Sequence, residues 1–405
     1  MVQPERRTRG DVIAALAIAA VIALAAGLIW WTSDARATIS RPAAAPVPDL
    51  PEAGEVPHRL HELWSAPSPH TDRPVLAGNS VVTADGGTVE GRDAHTGAVL
   101  WSYTRDRELC GVTSVYDYAV AVYPDRRGCG QVSTIDGDTG RRGPARSGYA
   151  DREVTLSSDG ATVLSAGDSR LELWRSDMVR MLSYGYLDAP IKPDVPTTPL
   201  CRLESAAASS AMVSVLEACP KQPDLRLTLL RVTDEEDVPE AKYVALPGVA
   251  PDSGARVIAV SSRTTAVYVP TPTPVVNIVD ETGTTVASTL VERPVSPHAA
   301  TSRTGDLITW WTGESVLVFE AEGLRYRYTV TPSAGATAVG PGVIMADRLM
   351  VPVTGGYDVF DPLSGAGERH IPLTRPQQQS AVLPLVAGTT LVEQRGGVLV
   401  ALGSG

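Results

Sequence analysis

Four cysteines, two adjacent tryptophans and two arginine pairs are the residues whose types and spacing suggest chemistry in this 405-residue chain. Cys110, Cys129, Cys201 and Cys219 are even in number, which in an extracytoplasmic domain points to disulfides. Three pairings are open at this level, and no close Cys or His pair supplies the usual zinc spacing. In Trp310-Trp311 the two side chains of an alternating strand face opposite sides, so one indole is expected to line a binding surface. Arg126-Arg127 and Arg141-Arg142 are expected in loops, as a basic patch for an anionic head group or a protein partner. The six histidines (58, 61, 70, 95, 298 and 370) are scattered, and none is spaced as a metal pair. Asp136-Gly137-Asp138 opens like a calcium loop, but Ser147 stands where the loop's final acid belongs. There is no Gly-x-Ser-x-Gly elbow, phosphate loop or dinucleotide fingerprint. These patterns assign no catalytic residue, no metal and no cofactor.

The elements that must hold these residues begin with a hydrophobic run. Val12 to Trp31 carries no charge and, as a helix, spans roughly 30 Å, the thickness of a bilayer core. Arg6, Arg7 and Arg9 precede it and Trp30-Trp31 close it. The positive-inside bias therefore gives a cytoplasmic tail at 1–11, a transmembrane helix at 12–31 and an extracytoplasmic remainder. A cleaved signal peptide is the rival reading, with Ala35-Arg36-Ala37 as small residues at a suitable spacing. Residues 32–59 are rich in Pro and Ala and read as a stalk. At about 3.1 Å per residue it would hold the following domain up to roughly 85 Å from the bilayer.

The body is acidic, and the whole chain carries a formal charge of −11. That argues against a nucleic-acid binder, whose affinity rests on neutralising phosphates. Gly and Pro are abundant (36 and 32) and only two Phe are present, so the core must be mostly aliphatic. No helical period persists after the hydrophobic run.

What persists is a repeat. Val89 to Trp101 contains an alternating strand ending at Asp93, a turn closing on Thr96-Gly97, and a second strand ending in an aromatic. Degraded copies follow at Asp136 to Gly140, Asp280 to Gly283 and Asp361 to Gly365, with weaker echoes at Leu171 to Trp174, Leu225 to Leu230 and Val316 to Glu320. The Asp carboxylate accepts backbone N–H groups and Gly supplies the positive φ, so the motif is a turn device that needs no metal. A period near 40 residues indicates a propeller. The expected fold is all-β: eight blades of four antiparallel strands over residues 60–405, seven being the alternative count because the fourth copy is long and weakly patterned. An eighth copy lacks its aromatic-ended strand, which Leu60 to Trp64 is expected to supply, closing the ring from both ends. In this frame Cys110 and Cys129 occupy the places that Cys201 and Cys219 occupy two copies later. The expected disulfides are therefore Cys110–Cys129 and Cys201–Cys219.

With Asp93-Ala94-His95-Thr96-Gly97-Ala98-Val99-Leu100-Trp101 and its echoes in view, residues 60–405 resemble the PQQ-like β-propeller repeat family. The whole layout resembles the membrane-anchored propeller proteins of actinobacterial envelopes. The resemblance implies either a quinone-dependent dehydrogenase or a non-catalytic scaffold such as the outer-membrane assembly lipoprotein BamB. The dehydrogenases carry adjacent cysteines near the cofactor and this chain has none, so a non-enzymatic scaffold binding envelope or membrane proteins is the expectation. A binder or carrier of an envelope lipid or glycan in the central channel is the alternative.

Overall fold

Runs of Val, Leu, Ile and Thr broken by Gly- and Asp-bearing turns cannot bury both faces alone, so each folds into a small sheet that must stack on another. The computed structural model, which describes residues 8–31, 33, 36–186, 201–233, 239–376 and 381–404, contains eight such sheets arranged as the blades of a propeller. Blades 1 to 7 take residues 75–104, 111–147, 155–185, 202–245, 256–290, 300–329 and 343–372. Blade 8 takes 382–404 together with Leu60–Pro67. Strands are lettered A to D outward from the axis, where A strands of successive blades touch at most junctions. The A–B and C–D turns share one end, here the lower face. The B–C turns and the crossings between blades share the upper face.

Eight aliphatic clusters fill the eight junctions, each drawing on two neighbouring blades. The D strands of blades 4 and 5, Glu240–Ala245 and Thr285–Leu290, are almost wholly exposed, whereas the B strands are buried. Burial in blade 4 thus peaks in the B and C strands, falls off in the A strand that lines the channel and is lowest in the outer D strand, which is why the middle strands are Val- and Leu-rich.

Closure follows the expected pattern. Leu60–Pro67 pairs antiparallel with Val398–Ser404, from Leu60 opposite Ser404 to Pro67 opposite Val398, and so completes blade 8 as its D strand. Both expected disulfides are present: Cys110–Cys129 ties the start of the A strand of blade 2 to the head of its C strand, and Cys201–Cys219 ties the start of the A strand of blade 4 to the end of its B strand.

The turn motif has a second use beyond the turn. Asp93 Oδ1 accepts Thr96 N, Thr96 Oγ1 and His95 N at 2.7, 2.8 and 3.1 Å, and Asp136 and Asp361 repeat the arrangement. The carbonyl of the next residue is thereby pointed at the previous blade. Trp64 Nε1 donates to Ala94 O at 3.0 Å, Trp101 Nε1 to Gly137 O at 2.7 Å, and Tyr328 Oη to Pro362 O at 2.8 Å. Each donor sits on a D strand, and its ring lies over the turn glycine. A Cβ on Gly97, Gly140 or Gly365 would come within 2.4–2.6 Å of that aromatic side chain. These glycines also have φ of 66–73°, so no other residue meets both demands.

The helix Arg9–Trp31 is apolar on every side, buries nothing, and is long enough to cross a membrane. Thr8 and Asp11 cap it reciprocally, Asp11 N donating to Thr8 Oγ1 at 3.2 Å and Thr8 N to Asp11 Oδ2 at 2.8 Å. The stalk expected at 32–59 is corrected from Ile39 onward. Ile39–Arg41 adds a fifth strand to blade 1, pairing with Ser102 to Thr104. The chain then descends and crosses the lower face: Ala43 N bonds Thr139 O at 3.0 Å, Val47 N bonds Asp138 O at 2.9 Å and Leu50 N bonds Asn79 Oδ1 at 3.1 Å. Arg369 Nη2 holds Val56 O at 2.5 Å, and Val56 is buried at the junction of blades 7 and 8. Proline-rich composition marks extended backbone, and an extended segment can lie on a surface as readily as stand away from it. Only residues 32–38 remain between helix and ring, a span of at most roughly 25 Å.

Replacing Gly97 by Ala should lower the unfolding free energy by about 2–4 kcal/mol through overpacking and positive-φ strain. Trp64→Phe should cost about 1–3 kcal/mol by leaving Ala94 O without its donor. Urea titration followed by tryptophan fluorescence checks both, and wild-type midpoints would contradict the docking account.

Candidate functional site

The start of an A strand and the crossing before it lie beside the axis, so residues far apart in sequence converge there. Asp72, Arg73, Asp168, Glu204, Asp252 and Arg256 line a cavity of about 710 Å³ at the upper end of the channel. Leu156, Leu164, Leu203 and the edge of Trp310 form apolar wall between them. The volume is in the range of small-molecule sites, and the mixture of apolar wall with a few convergent polar groups is typical of them.

Its electrostatics are paired but not neutral. Arg202 Nη2 reaches Glu204 Oε1 at 2.6 Å and Asp252 Oδ1 at 3.0 Å. Burial holds the Glu204 carboxyl above the usual carboxylate range; Arg202 opposes that shift, and Asp252 and Asp168 add to it. Arg256 bonds Gly254 O at 3.3 Å, and burial lowers the proton affinity of its guanidinium. Arg73 extends across the axis to Thr301 O on blade 6 at 3.3 Å. Water reaches it through the channel while the inner strands ring it, and this encirclement lowers its proton affinity. Such a rim suits hydroxyl-rich or mixed-charge ligands, which carboxylates and guanidinium groups orient by hydrogen bonds.

A second set of charges sits between blades. Glu172 on blade 3 accepts Arg146 of blade 2 at 2.7 Å and Trp174 Nε1 at 2.8 Å. Glu217 on blade 4 accepts Tyr184 Oη of blade 3 at 2.9 Å and Arg226 at 2.9 Å. Glu393 on blade 8 accepts Tyr357 Oη of blade 7 at 2.6 Å, with Arg375 at 2.7 Å and Arg395 at 2.6 Å on its two oxygens. Burial by itself would raise the Glu393 carboxyl, but the guanidinium groups and the phenol hold it below the ordinary range; Glu172 behaves alike under Arg146 and Arg170. These are polar fasteners, satisfied by partners from two blades.

The residues singled out in the sequence are not brought together. Trp310 and Trp311 do face opposite sides of blade 6, but both are buried, at 1% and 8% exposure. Trp310 packs against Tyr268 of blade 5 with ring centroids 5.5 Å apart, and Trp311 Nε1 bonds Ala338 O at 2.9 Å beside blade 7. The binding surface expected of one indole is therefore replaced by packing between blades, apart from the Trp310 edge in the cavity wall. Arg126-Arg127 lies in the upper B–C turn of blade 2, and Arg141-Arg142 starts beyond its lower C–D turn. The nine-residue strand Gly128–Asp136 separates the pairs by about 30 Å, so they form no common patch. Arg127 pairs with Asp125 at 3.1 Å and stacks on Tyr149, while Arg142 lies over Tyr103. The acidic run Asp234 to Asp237, which lengthens the fourth copy of the repeat, lies outside the described residues. Single charges such as Arg73 and Glu204 escaped the sequence reading; their shared place at the head of an A strand was the one available signal.

No protein-family profile matches this sequence, and no curated protein matches it either. Solved structures do match in fold. BamB from Moraxella catarrhalis is similar with a TM-score of 0.51 and 16% identity over 85% of this chain and 99% of that one. The computationally designed Ika8 protein gives 0.54 and 15% over 84% and 98%. The dihydro-heme d1 dehydrogenase NirN, in complex with DHE, gives 0.51 and 10% over 84% and 79%. Identities this low establish the propeller fold and leave function to be argued from the sites.

Glu393→Gln should destabilise the ring by about 3–5 kcal/mol, because Arg375 and Arg395 then stay buried against a neutral amide. The depressed carboxylates at Asp93, Asp361, Glu172 and Glu393 contribute stability that is present above their unfolded values of 3.8 and 4.5 and disappears as pH falls through the lower folded values. Thermal melts should accordingly be flat near neutrality and fall steeply in that acid window. A melting temperature that rose on acidification would contradict the assignment.

Proposed function

We propose that this protein is a membrane-anchored, non-enzymatic scaffold whose propeller, on the extracytoplasmic side, gathers proteins of the cell envelope. The observation that carries the proposal is the strap at 39–59. It fastens the ring to the segment behind an apolar helix of 23 residues and leaves seven residues between them. The disk is thus held within roughly 25 Å of the bilayer, at the height of membrane-proximal partners. The tether enters at the upper end of blade 1, where Ile39 lies opposite Thr104. The upper face, with its loops and cavity, is therefore beside the membrane. The fold likeness to BamB is consistent with a scaffold, as are the buried glutamates tied up as fasteners between blades. The Arg cluster before the helix supports a cytoplasmic N-terminus.

A second reading rests on the 710 Å³ cavity, whose volume and mixed lining suit an envelope lipid head group or glycan. On this reading the ring is a binder or carrier rather than only a meeting point.

Crosslinking in cells followed by mass spectrometry should recover envelope or membrane proteins with the full-length chain. They should be lost when a flexible insertion of about twenty residues, roughly 25 Å of root-mean-square span, is placed between the helix and Ile39. Equal recovery with and without the insertion would remove the height argument. Native mass spectrometry of the detergent-extracted protein separates the second reading, which requires a co-purifying lipid or glycan mass displaced by Glu204→Gln.

A further inference from the structure

Below the crossbar that Arg73 makes to Thr301, the channel holds a second, smaller chamber of about 330 Å³. Its lining differs in kind from the acidic upper cavity. Arg73 and Arg303 both border it, together with the hydroxyls of Thr113, Ser114 and Ser302. One carboxylate belongs to the wall, Asp159, and its Oδ1 is taken by Ala161 N at 2.9 Å, Thr162 N at 2.7 Å and Thr162 Oγ1 at 3.0 Å in its own turn. Among the described residues no carboxylate comes within ion-pair distance of Arg73 or Arg303, and the charge that acts on Arg73 is its neighbour Asp72, which lines the upper cavity. Two guanidinium groups thus share one chamber with three hydroxyl-bearing residues and a single carboxylate that is occupied in its own turn.

We propose that this lower chamber binds a phosphoryl oxyanion. A guanidinium presents a planar fork that matches two phosphate oxygens, and hydroxyls serve the remaining ones as donors. The charge balance has the same sign: two guanidinium groups against one carboxylate leave the lining with one net positive charge, in a channel that water still enters, and that charge draws an anion. The site stands independently of the scaffold reading, since it uses residues of the A strands and their approaches, none of which lies on an outer surface.

The test is equilibrium dialysis of the full-length protein in detergent against labelled inorganic phosphate at constant chloride. One saturable site per chain is expected, weakened by added chloride. Arg303→Gln and Arg73→Gln should each weaken it by about tenfold or more, the loss of one charge-assisted contact, while Arg126→Gln on the outer loop leaves it unchanged. Pyrophosphate and a short-chain phosphatidylglycerol are then offered as competitors. Displacement by pyrophosphate assigns a free phosphate ligand, displacement by the lipid alone assigns a head group, and either supports the chamber. Arg303→Gln must keep the wild-type melting temperature without phosphate; should it not, the phosphate-induced rise in melting temperature of the wild-type chain decides. No saturable binding and no such rise, or binding equal in the wild type and both Gln variants, would overturn the proposal.

Discussion

The contact on which this structure depends is the hydrogen bond from an outer-strand ring to the carbonyl that follows the aspartate in the next blade's C–D turn. Trp64, Trp101 and Tyr328 make it, each pressed on a glycine that has no room for a Cβ. One interaction performs three tasks. It satisfies a backbone acceptor at the lower rim, buries an aromatic face, and fixes the angle between consecutive blades. Since a ring of eight closes only if the angles add to a full turn, fixing the angle at several junctions constrains the rest.

Other junctions meet the same requirement with different chemistry. Between blades 2 and 3, 3 and 4, and 7 and 8, a buried glutamate collects an arginine or phenol from its neighbour and an arginine from its own blade. Between blades 4 and 5, Ser214 and Thr265 hydroxyls meet at 2.6 Å, and Ser209 bonds Ser261 O. Such fasteners add little net energy to a well-packed apolar seam, but breaking one leaves a buried charge or donor alone. They act mainly as geometric specification: an aliphatic seam of Val and Leu tolerates sliding, and a bidentate arginine does not.

The strap changes how anchor and ring relate. A free stalk would let the ring sample every orientation relative to the helix over tens of ångströms, whereas a segment bound along blade 1 and under the closing junction of blades 7, 8 and 1 leaves only seven residues between them. The same segment covers the lower side of the seam where the two ends of the propeller meet. Ring closure and the tether to the apolar helix are thus coupled through residues 39–59.

The sequence by itself determined the propeller architecture with eight blades favoured over seven, closure by the strand around Leu60 to Trp64 and both disulfides, because each is a property of a repeat with period-2 strands and fixed turn chemistry, read without long-range information. It also marked the helix by length and apolarity. Tertiary structure alone decided the rest. Trp310 and Trp311 were rightly placed on opposite faces of one strand, yet a propeller blade is covered on both faces, so both indoles are buried. The arginine pairs are fifteen positions apart in sequence but stand at opposite ends of a strand, since a strand advances over 3 Å per residue. The axial charges, from Asp72 to Arg303, come from five blades, and no local pattern announces a meeting that exists only once the ring has closed.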